Sequence, residues 1–219
     1  TSIDLSGTQV TSIGRAAFSN CSSLTSVDLG NSVTSIGQYA FSYCTKLTSI
    51  DIPDSVTTID SGAFMGVGLT SYSVDANNNS FSDINGVLFN KNQSTLILYP
   101  KNNTATSYTI PDSVTTIGNY AVWSCRNLTS IHIPDSVTTI GTNAFQFCSS
   151  LTSIDLPNSL TTIDGIAFYQ CSSLTSITIP DSVTTIGQHT FRYCSSLTSI
   201  TIPDSVTFIG YQAFYNIGS

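Results

Sequence analysis

Reactive side chains are few in this 219-residue sequence, and its cysteines recur at equivalent places. An even number of cysteines is typical of disulfides or of a metal site. Val67 and Ile217 occupy the same place in two other stretches, which favours a small, buried hydrophobic side chain there. We therefore predict free, buried thiols and no metal centre along the line formed by Cys21, Cys44, Cys125, Cys148, Cys171 and Cys194.

Acid–base chemistry has one pair of candidates. Asp155 follows His132 by 23 residues, which brings the two side chains side by side if the chain repeats with that period. A catalytic triad also needs a positioned nucleophile and an oxyanion site. Serine is abundant throughout the sequence, and no serine or cysteine is singled out near this pair. We predict that the protein is not an enzyme, has no catalytic residues and takes no cofactor.

The charge balance excludes several classes of partner. Six basic and 13 acidic residues give a net charge of -7, and every acidic residue is aspartate. An acidic chain is poorly suited to nucleic acid or to an anionic membrane surface. No apolar run approaches the roughly 18 residues of a membrane span, so we predict no membrane insertion. Because the chain begins with Thr1, we interpret it as a fragment or a mature segment.

A period of 23 residues organises the whole chain. Written from its first leucine, the repeat is L-T-S-I-x-I-P-D-S-V-T-T-I-G-x-x-A-F-x-x-C-S-S, and its positions are numbered here as columns 1 to 23. One unit cannot bury its apolar face alone, so we predict eight stacked coils that pair in parallel at ~4.8 Å. The first coil is Thr1–Ser23, and the others begin at Leu24, Leu47, Ala105, Leu128, Leu151, Leu174 and Leu197.

The columns also predict local structure. Columns 4 and 6 are apolar with a polar residue between them, and proline at column 7 ends this strand. Columns 10 and 13 indicate a second extended segment, and Ala-Phe at columns 17 and 18 predicts about one turn of α or 3₁₀ helix. The predicted first strands are 2–6, 26–30, 49–53, 107–111, 130–134, 153–157, 176–180 and 199–203.

Residues 69–104 interrupt the period. The segment begins like a repeat at Leu69 and then diverges. The β-rich runs 87–89 and 96–99 predict a hairpin, and Asn85-Gly86 supplies a second turn. The repeat phase resumes at Ala105. We therefore predict one domain over 1–219, a single solenoid with a hairpin-bearing insert.

The columns L-x-x-I-x-I-P-x-x-V-x-x-I-x-x-x-A-F-x-x-C closely resemble the BspA-like, or treponemal-type, leucine-rich repeat. The resemblance covers 1–68 and 105–219 directly. It implies a right-handed leucine-rich repeat solenoid with parallel strands and short helical segments. Members are typically secreted or surface-anchored proteins of mucosal bacteria and parasitic protists, implicated in adhesion. The family has no shared catalytic motif, so the resemblance assigns no functional residue.

Two sets of columns are candidates for binding. The variable columns 15, 16, 19 and 20 are rich in aromatic residues, which are favoured anchors at interfaces. The alternative is that these rings only stack on one another between coils. The rival surface is column 5, which faces outward from the first strand. The aromatic candidates are Tyr120, Trp123, Phe147, Tyr169 and Tyr193, and the column 5 candidates are Asp28, Asp51, His132 and Asp155.

Function follows from the scaffold and from the resemblance together. Variable exposed columns on a repeat scaffold without a catalytic constellation favour a binding module. The sequence therefore predicts an extracellular or cell-surface module for adhesion or protein recognition, with a protein or glycoprotein partner on a host or microbial surface. The alternative is a structural spacer or a self-assembling surface element without its own ligand.

Overall fold

In the computed structural model, which describes residues 1–218, the chain divides into two compact units of stacked coils. Unit 1 comprises residues 1–93 and 98–103, and unit 2 comprises residues 94–97 and the chain from Thr104 onward. In each unit, strands of successive coils pair in parallel, with equivalent columns opposite each other. Ile131 on one strand, for example, pairs with Ile154 on the next. The predicted solenoid of parallel 23-residue repeats is confirmed.

Unit 1 contains two parallel ladders and one hairpin. Its first strands pair β1 with β3 and β5 with β7, its second strands pair in the order β2-β4-β6, and β8 pairs antiparallel with β9. The strands are β1 Ser2–Asp4, β2 Ser12–Ile13, β3 Ser26–Asp28, β4 Ser35–Ile36, β5 Ser49–Ile52, β6 Thr58–Ile59, β7 Ser71–Val74, β8 Phe81–Ile84 and β9 Val87–Asn90.

Unit 2 repeats the arrangement with longer ladders. First strands pair in the order β11-β13-β15-β17, and second strands in the order β10-β12-β14-β16-β18-β19. The strands are β10 Thr95–Leu98, of which residues 95–97 belong to unit 2, β11 Ser107–Thr109, β12 Thr116–Ile117, β13 Ser130–His132, β14 Thr139–Ile140, β15 Ser153–Asp155, β16 Thr162–Ile163, β17 Ser176–Thr178, β18 Thr185–Ile186 and β19 Phe208–Ile209.

The predicted first strands are correct in seven coils and wrong in the eighth. The seven begin where predicted and end one or two residues earlier. In five of them the residue at column 7 is proline, which donates no ladder hydrogen bond. Residues 199–203 form no strand, although β19 in the same coil does.

The core of each unit is a column of stacked phenylalanines flanked by aliphatic columns. In unit 2, Phe145, Phe168 and Phe191 are fully buried. Their ring centroids lie 5.2 and 5.4 Å apart, with interplanar angles of 1°. In unit 1, the rings of Phe18, Phe41 and Phe64 stack in the same way at 5.3 and 5.6 Å. Column 18 therefore contributes one stacked ring from each of these coils, whereas the coil that begins at Ala105 has Val122 there.

The predicted helical turn before each cysteine is wrong. These segments are chains of overlapping turns. Within residues 1–218, no helix is long and apolar enough to cross a membrane. Alternate amides leave the coil: the Phe145 amide donates to the Ala167 carbonyl of the next coil at 2.8 Å, whereas the Cys148 amide donates back to Phe145 at 3.2 Å. In a helix every amide would donate within its own segment, whereas here every second amide donates to the next coil.

The insert supplies strands to both units. Its β7 pairs with β5 in unit 1, and its β10 pairs with β12 in unit 2. The antiparallel hairpin β8–β9 turns at Asn85-Gly86, where both residues have positive φ, 51° and 79°. A two-residue turn of this kind matches the twist of the flanking strands. Whether the insert leaves one continuous solenoid stays a prediction.

Candidate functional site

The turn segments hold the variable columns in fixed positions on each coil. Columns 16 and 20 have positive φ in every coil, as at Asn143 and Phe147 in one of them (62° and 64°). Glycine or asparagine adopts this conformation easily, and Gly66 and Asn216 occupy column 20 elsewhere. Phe147 and Tyr193 adopt it at a cost of order 1–3 kcal/mol each. Aromatic side chains therefore occupy column 20, although its backbone conformation favours glycine or asparagine.

Five aromatic rings of unit 2 form a continuous edge-to-face chain, here named the aromatic strip. Their centroids lie 5.6 to 5.7 Å apart, and each ring is turned by 87° to 90° relative to the next. This geometry is preferred by ring quadrupoles and stabilises each pair beyond simple burial. The first four rings are half-buried and the last is exposed. The strip is formed by Trp123, Phe147, Tyr169, Tyr193 and Tyr215.

Four of the five predicted aromatic residues therefore lie together, and one does not. Tyr120 lies in column 16, outside the strip, whose members belong to columns 19 and 20. Tyr215 extends the strip but is missing from the predicted set. The signal was in the spacing: strip residues follow one another at 24, 22, 24 and 22 residues. That alternation moves each ring between two adjacent columns, which produces the perpendicular packing.

A cation lies against one end of the strip. The Arg192 guanidinium carbon is 4.9 Å from the Tyr193 ring centroid and 5.0 Å from that of Tyr215. Its Nη2 donates to the Tyr193 hydroxyl at 3.2 Å, and this hydrogen bond raises the pKa of Arg192. The charged guanidinium therefore packs against two rings of the strip. Sequence reasoning missed Arg192, because arginine in a variable column indicates nothing about its neighbours.

A shallow groove of about 280 Å³ runs beside the strip and is named the column 20 groove. One wall carries column 20 side chains, aromatic and amide in alternation. The other wall carries column 22 side chains, three serines and one arginine. The lining residues are Phe147, Gln170, Tyr193 and Asn216 on the first wall, and Arg126, Ser149, Ser172 and Ser195 on the second.

The column 5 surface differs between the two units. In unit 1, Asp28 and Asp51 line a groove of about 420 Å³ together with Asp75. In the same column, Asp4 accepts hydrogen bonds from the Ser6 hydroxyl and amide, which lower the pKa of Asp4. Asp28 accepts from the Gly30 amide at 2.9 Å, so it fixes its own turn. The Asp4 and Asp28 carboxylates are thus used locally, as in ordinary Asx turns.

His132 and Asp155 lie on neighbouring strands of unit 2, as the period predicts. Their Cα atoms are register partners, and both side chains are exposed. Among residues 1–218, no hydrogen bond joins the two side chains, and no group of three or more His, Cys, Asp or Glu residues has the geometry of a metal site. That the protein is not an enzyme stays a prediction.

The cysteine column is a ladder of free thiols in residues 1–218. The Cys148 and Cys171 thiols donate to carbonyls of the preceding coil, Val122 and Phe145, at 3.0 and 3.2 Å. Burial raises the pKa of Cys148 and of Cys194 to about 12. Cys21 departs from the predicted burial, because its side chain is exposed.

We expect only one thiol to react quickly in the folded protein. A thiolate is the nucleophile, and burial disfavours it at five of the six cysteines. Titration with a disulfide reagent without reductant should give one fast thiol in buffer and six in denaturant. Cys21→Ser should abolish the fast phase, and Cys148→Ser should leave it unchanged. Fewer than six thiols in denaturant would contradict the ladder.

Comparisons with known proteins agree with this architecture. The model of the BspA type leucine rich repeat region matches residues 1–108 and 98–219, with six copies. No curated protein matches. The crystal structure of the pneumococcal vaccine antigen PcpA is similar, with a TM-score of 0.82 and 29% identity over 94% of this chain and 58% of that chain.

Two further solved structures are similar. A leucine rich cell surface protein from Faecalibacterium prausnitzii has a TM-score of 0.74 and 33% identity, over 97% of this chain and 60% of that chain. A leucine-rich repeat protein from Eubacterium ventriosum has a TM-score of 0.63 and 28% identity, over 100% and 77%. This chain spans less than two thirds of the length of the first two. With its stacked 23-residue coils and its matching repeat columns, the chain belongs to the BspA type leucine-rich repeat family.

Proposed function

We propose that this protein is a cell-surface or secreted binding module that mediates adhesion or protein recognition. Its partner is a protein or glycoprotein on a host cell, in host matrix or on another microbe. A leucine-rich repeat is a recognition fold, and the similar structures include a vaccine antigen and a cell surface protein. These names support a surface role for this chain as well.

The aromatic strip is the observation that carries the proposal. Interfaces draw much of their binding energy from a few tyrosine, tryptophan and arginine side chains at a well-packed centre. The strip supplies Trp123 and three tyrosines, with Arg192 between two of the rings. Edge-to-face packing holds the rings before any ligand arrives, which lowers the entropy cost of binding. A spacer without a ligand has no need of ordered, partly exposed aromatic residues.

The test is binding to immobilised matrix proteins and to host-cell surface extracts. We expect the double variant Trp123→Ala/Tyr169→Ala to weaken binding by about 30-fold, the effect of losing roughly 2 kcal/mol. The matched variant Asp28→Asn/Asp51→Asn should bind like the unchanged protein. The contribution of the uncharged rings themselves should vary little with ionic strength, since screening acts on charges. Circular dichroism and melting temperature control for loss of fold.

Two outcomes would contradict this assignment. Unchanged affinity in the aromatic variant, with loss in the aspartate variant and strong salt dependence, would transfer binding to the column 5 surface. Absence of binding to every extract by the unchanged protein would favour a spacer or a self-assembling element instead.

A further inference from the structure

The column 20 groove has a lining that the aromatic strip alone does not explain. Its column 20 wall alternates ring and amide in successive coils: Phe147, Gln170, Tyr193 and then Asn216. Ser172 and two other serines face them from column 22. Hydroxyl and carboxamide groups both donate and accept hydrogen bonds. The groove therefore repeats an apolar platform and a neutral polar group along its length.

The main chain of this groove has few groups left for a ligand. The amides of Phe147, Gln170 and Tyr193 donate to carbonyls of the next coil at 2.9 to 3.0 Å. The carbonyl of Phe147 accepts from the Ser149 amide at 2.8 Å. An extended peptide that adds as a strand needs free main-chain donors and acceptors. These main-chain groups are already paired, so recognition in the groove relies on its side chains.

Charge separates sharply within unit 2. Its only Lys or Arg residues are Arg126 and Arg192, and both lie on the turn face, in columns 22 and 19. Its aspartates lie elsewhere, in columns 5, 8 and 14. Arg126 is exposed at one end of the groove. A guanidinium at that place matches a carboxylate, which it binds through two parallel hydrogen bonds.

We propose that the column 20 groove binds a linear oligosaccharide that carries a carboxylate. The C–H groups of sugar rings pack on the parts of the Phe147 and Tyr193 rings that line the groove, while Arg192 lies over the Tyr193 ring from its own side. Sugar hydroxyls bond to the Gln170 carboxamide and to the Ser172 hydroxyl, and the acidic sugar binds Arg126. The rings recur in every second coil, so the platform repeats at about 9.6 Å, twice the coil spacing. This inference rests on the proposed surface-binding function and names the chemistry of its ligand.

The probe is an array of linear oligosaccharides that contain glucuronate, galacturonate or sialate, each paired with its methyl ester. We expect the intact chain to bind at least one acidic member and to bind its ester about tenfold more weakly. Arg126→Gln should remove this preference for the acid, and Tyr193→Ala should weaken acid and ester alike by about tenfold. Arg126 is exposed, so its replacement leaves folding intact.

Matched controls come from unit 1. Tyr43→Ala changes a ring in the same column 20, and Arg15→Gln removes an exposed cation; neither residue lines the groove. Both variants should bind like the unchanged chain. Absence of binding to every acidic member, or equal binding of acid and ester, overturns the proposal.

A second measurement separates this inference from the proposed function. Beads that carry the protein are applied to host cells before and after periodate oxidation of surface sugars. Adhesion that falls about tenfold after oxidation supports the glycan ligand. Adhesion that survives oxidation, together with loss in the Trp123→Ala/Tyr169→Ala variant, overturns the glycan and leaves a protein partner. Absence of adhesion before oxidation rejects the surface-binding function itself.

Discussion

Phe168→Ala will lower the free energy of unfolding by about 3–5 kcal/mol, the usual cost of removing a buried phenylalanine. Phe168 is fully buried, and its ring stacks on Phe145 at 5.2 Å and on Phe191 at 5.4 Å. The rings of Phe145 and Phe191 cannot move into the cavity left by Phe168→Ala, because each is held in place by its own coil. Urea unfolding followed by circular dichroism measures the change.

Phe208→Ala is the matched control, since Phe208 is a phenylalanine of the same unit with 58% of its surface exposed. We expect it to change the free energy of unfolding by less than about 0.5 kcal/mol, as surface substitutions usually do. A loss below about 1 kcal/mol in Phe168→Ala would mean that the stacked column adds little to stability.

Asn78→Ala will cost roughly 3–5 kcal/mol, because several buried polar groups lose their partners at once. The side-chain amide nitrogen of Asn78 (Nδ2) donates to the carbonyls of Pro53 and Val56 at 2.7 and 3.0 Å. Its oxygen accepts from the amides of Ser80 and Phe81, both at 2.8 Å. The side chain is fully buried, so water does not replace these four bonds.

Asn79→Ala is the matched control for Asn78→Ala. Asn79 is the next residue in the run Asn77-Asn78-Asn79, and its side chain is exposed. We expect the control to unfold at the same urea concentration as the unchanged protein. Equal effects of the two substitutions would show that the four hydrogen bonds do not stabilise unit 1.

The same two variants test the proposal of a single solenoid. Phe168 belongs to unit 2 and Asn78 to unit 1. If the chain from Thr1 onward unfolds as one repeat array, each substitution will shift one shared transition. Two resolved transitions, with each substitution shifting only one of them, would mean two domains.

Burial and pairing were predictable from sequence because every coil stacks on a copy of itself. A period of 23 places column 4 opposite column 4, so Ile131 meets Ile154 and Cys148 lies in line with Cys171. Any apolar column then becomes a buried ladder. The same period places His132 beside Asp155, but their side chains form no hydrogen bond with each other.

The turn segments were decided by tertiary structure. Ala-Phe with a cysteine three residues later is compatible with a helical turn, and no residue within the segment forbids it. The choice depends on the carbonyls of the next coil, which accept every second amide and leave columns 16 and 20 with positive φ. Hydrogen bonds between coils override the local preference, since each buried amide must find a partner.

Individual side chains depended on tertiary structure for the same reason. Three adjacent asparagines look alike in sequence, yet only the Asn78 side chain donates to the carbonyls of Pro53 and Val56. Tyr120 and Tyr215 are both aromatic residues in variable columns, but only Tyr215 reaches Tyr193. The sequence determined how the coils stack, because stacking depends on an apolar pattern that recurs in every repeat. The partners of single residues depend on distances between coils, and only the folded chain supplies those.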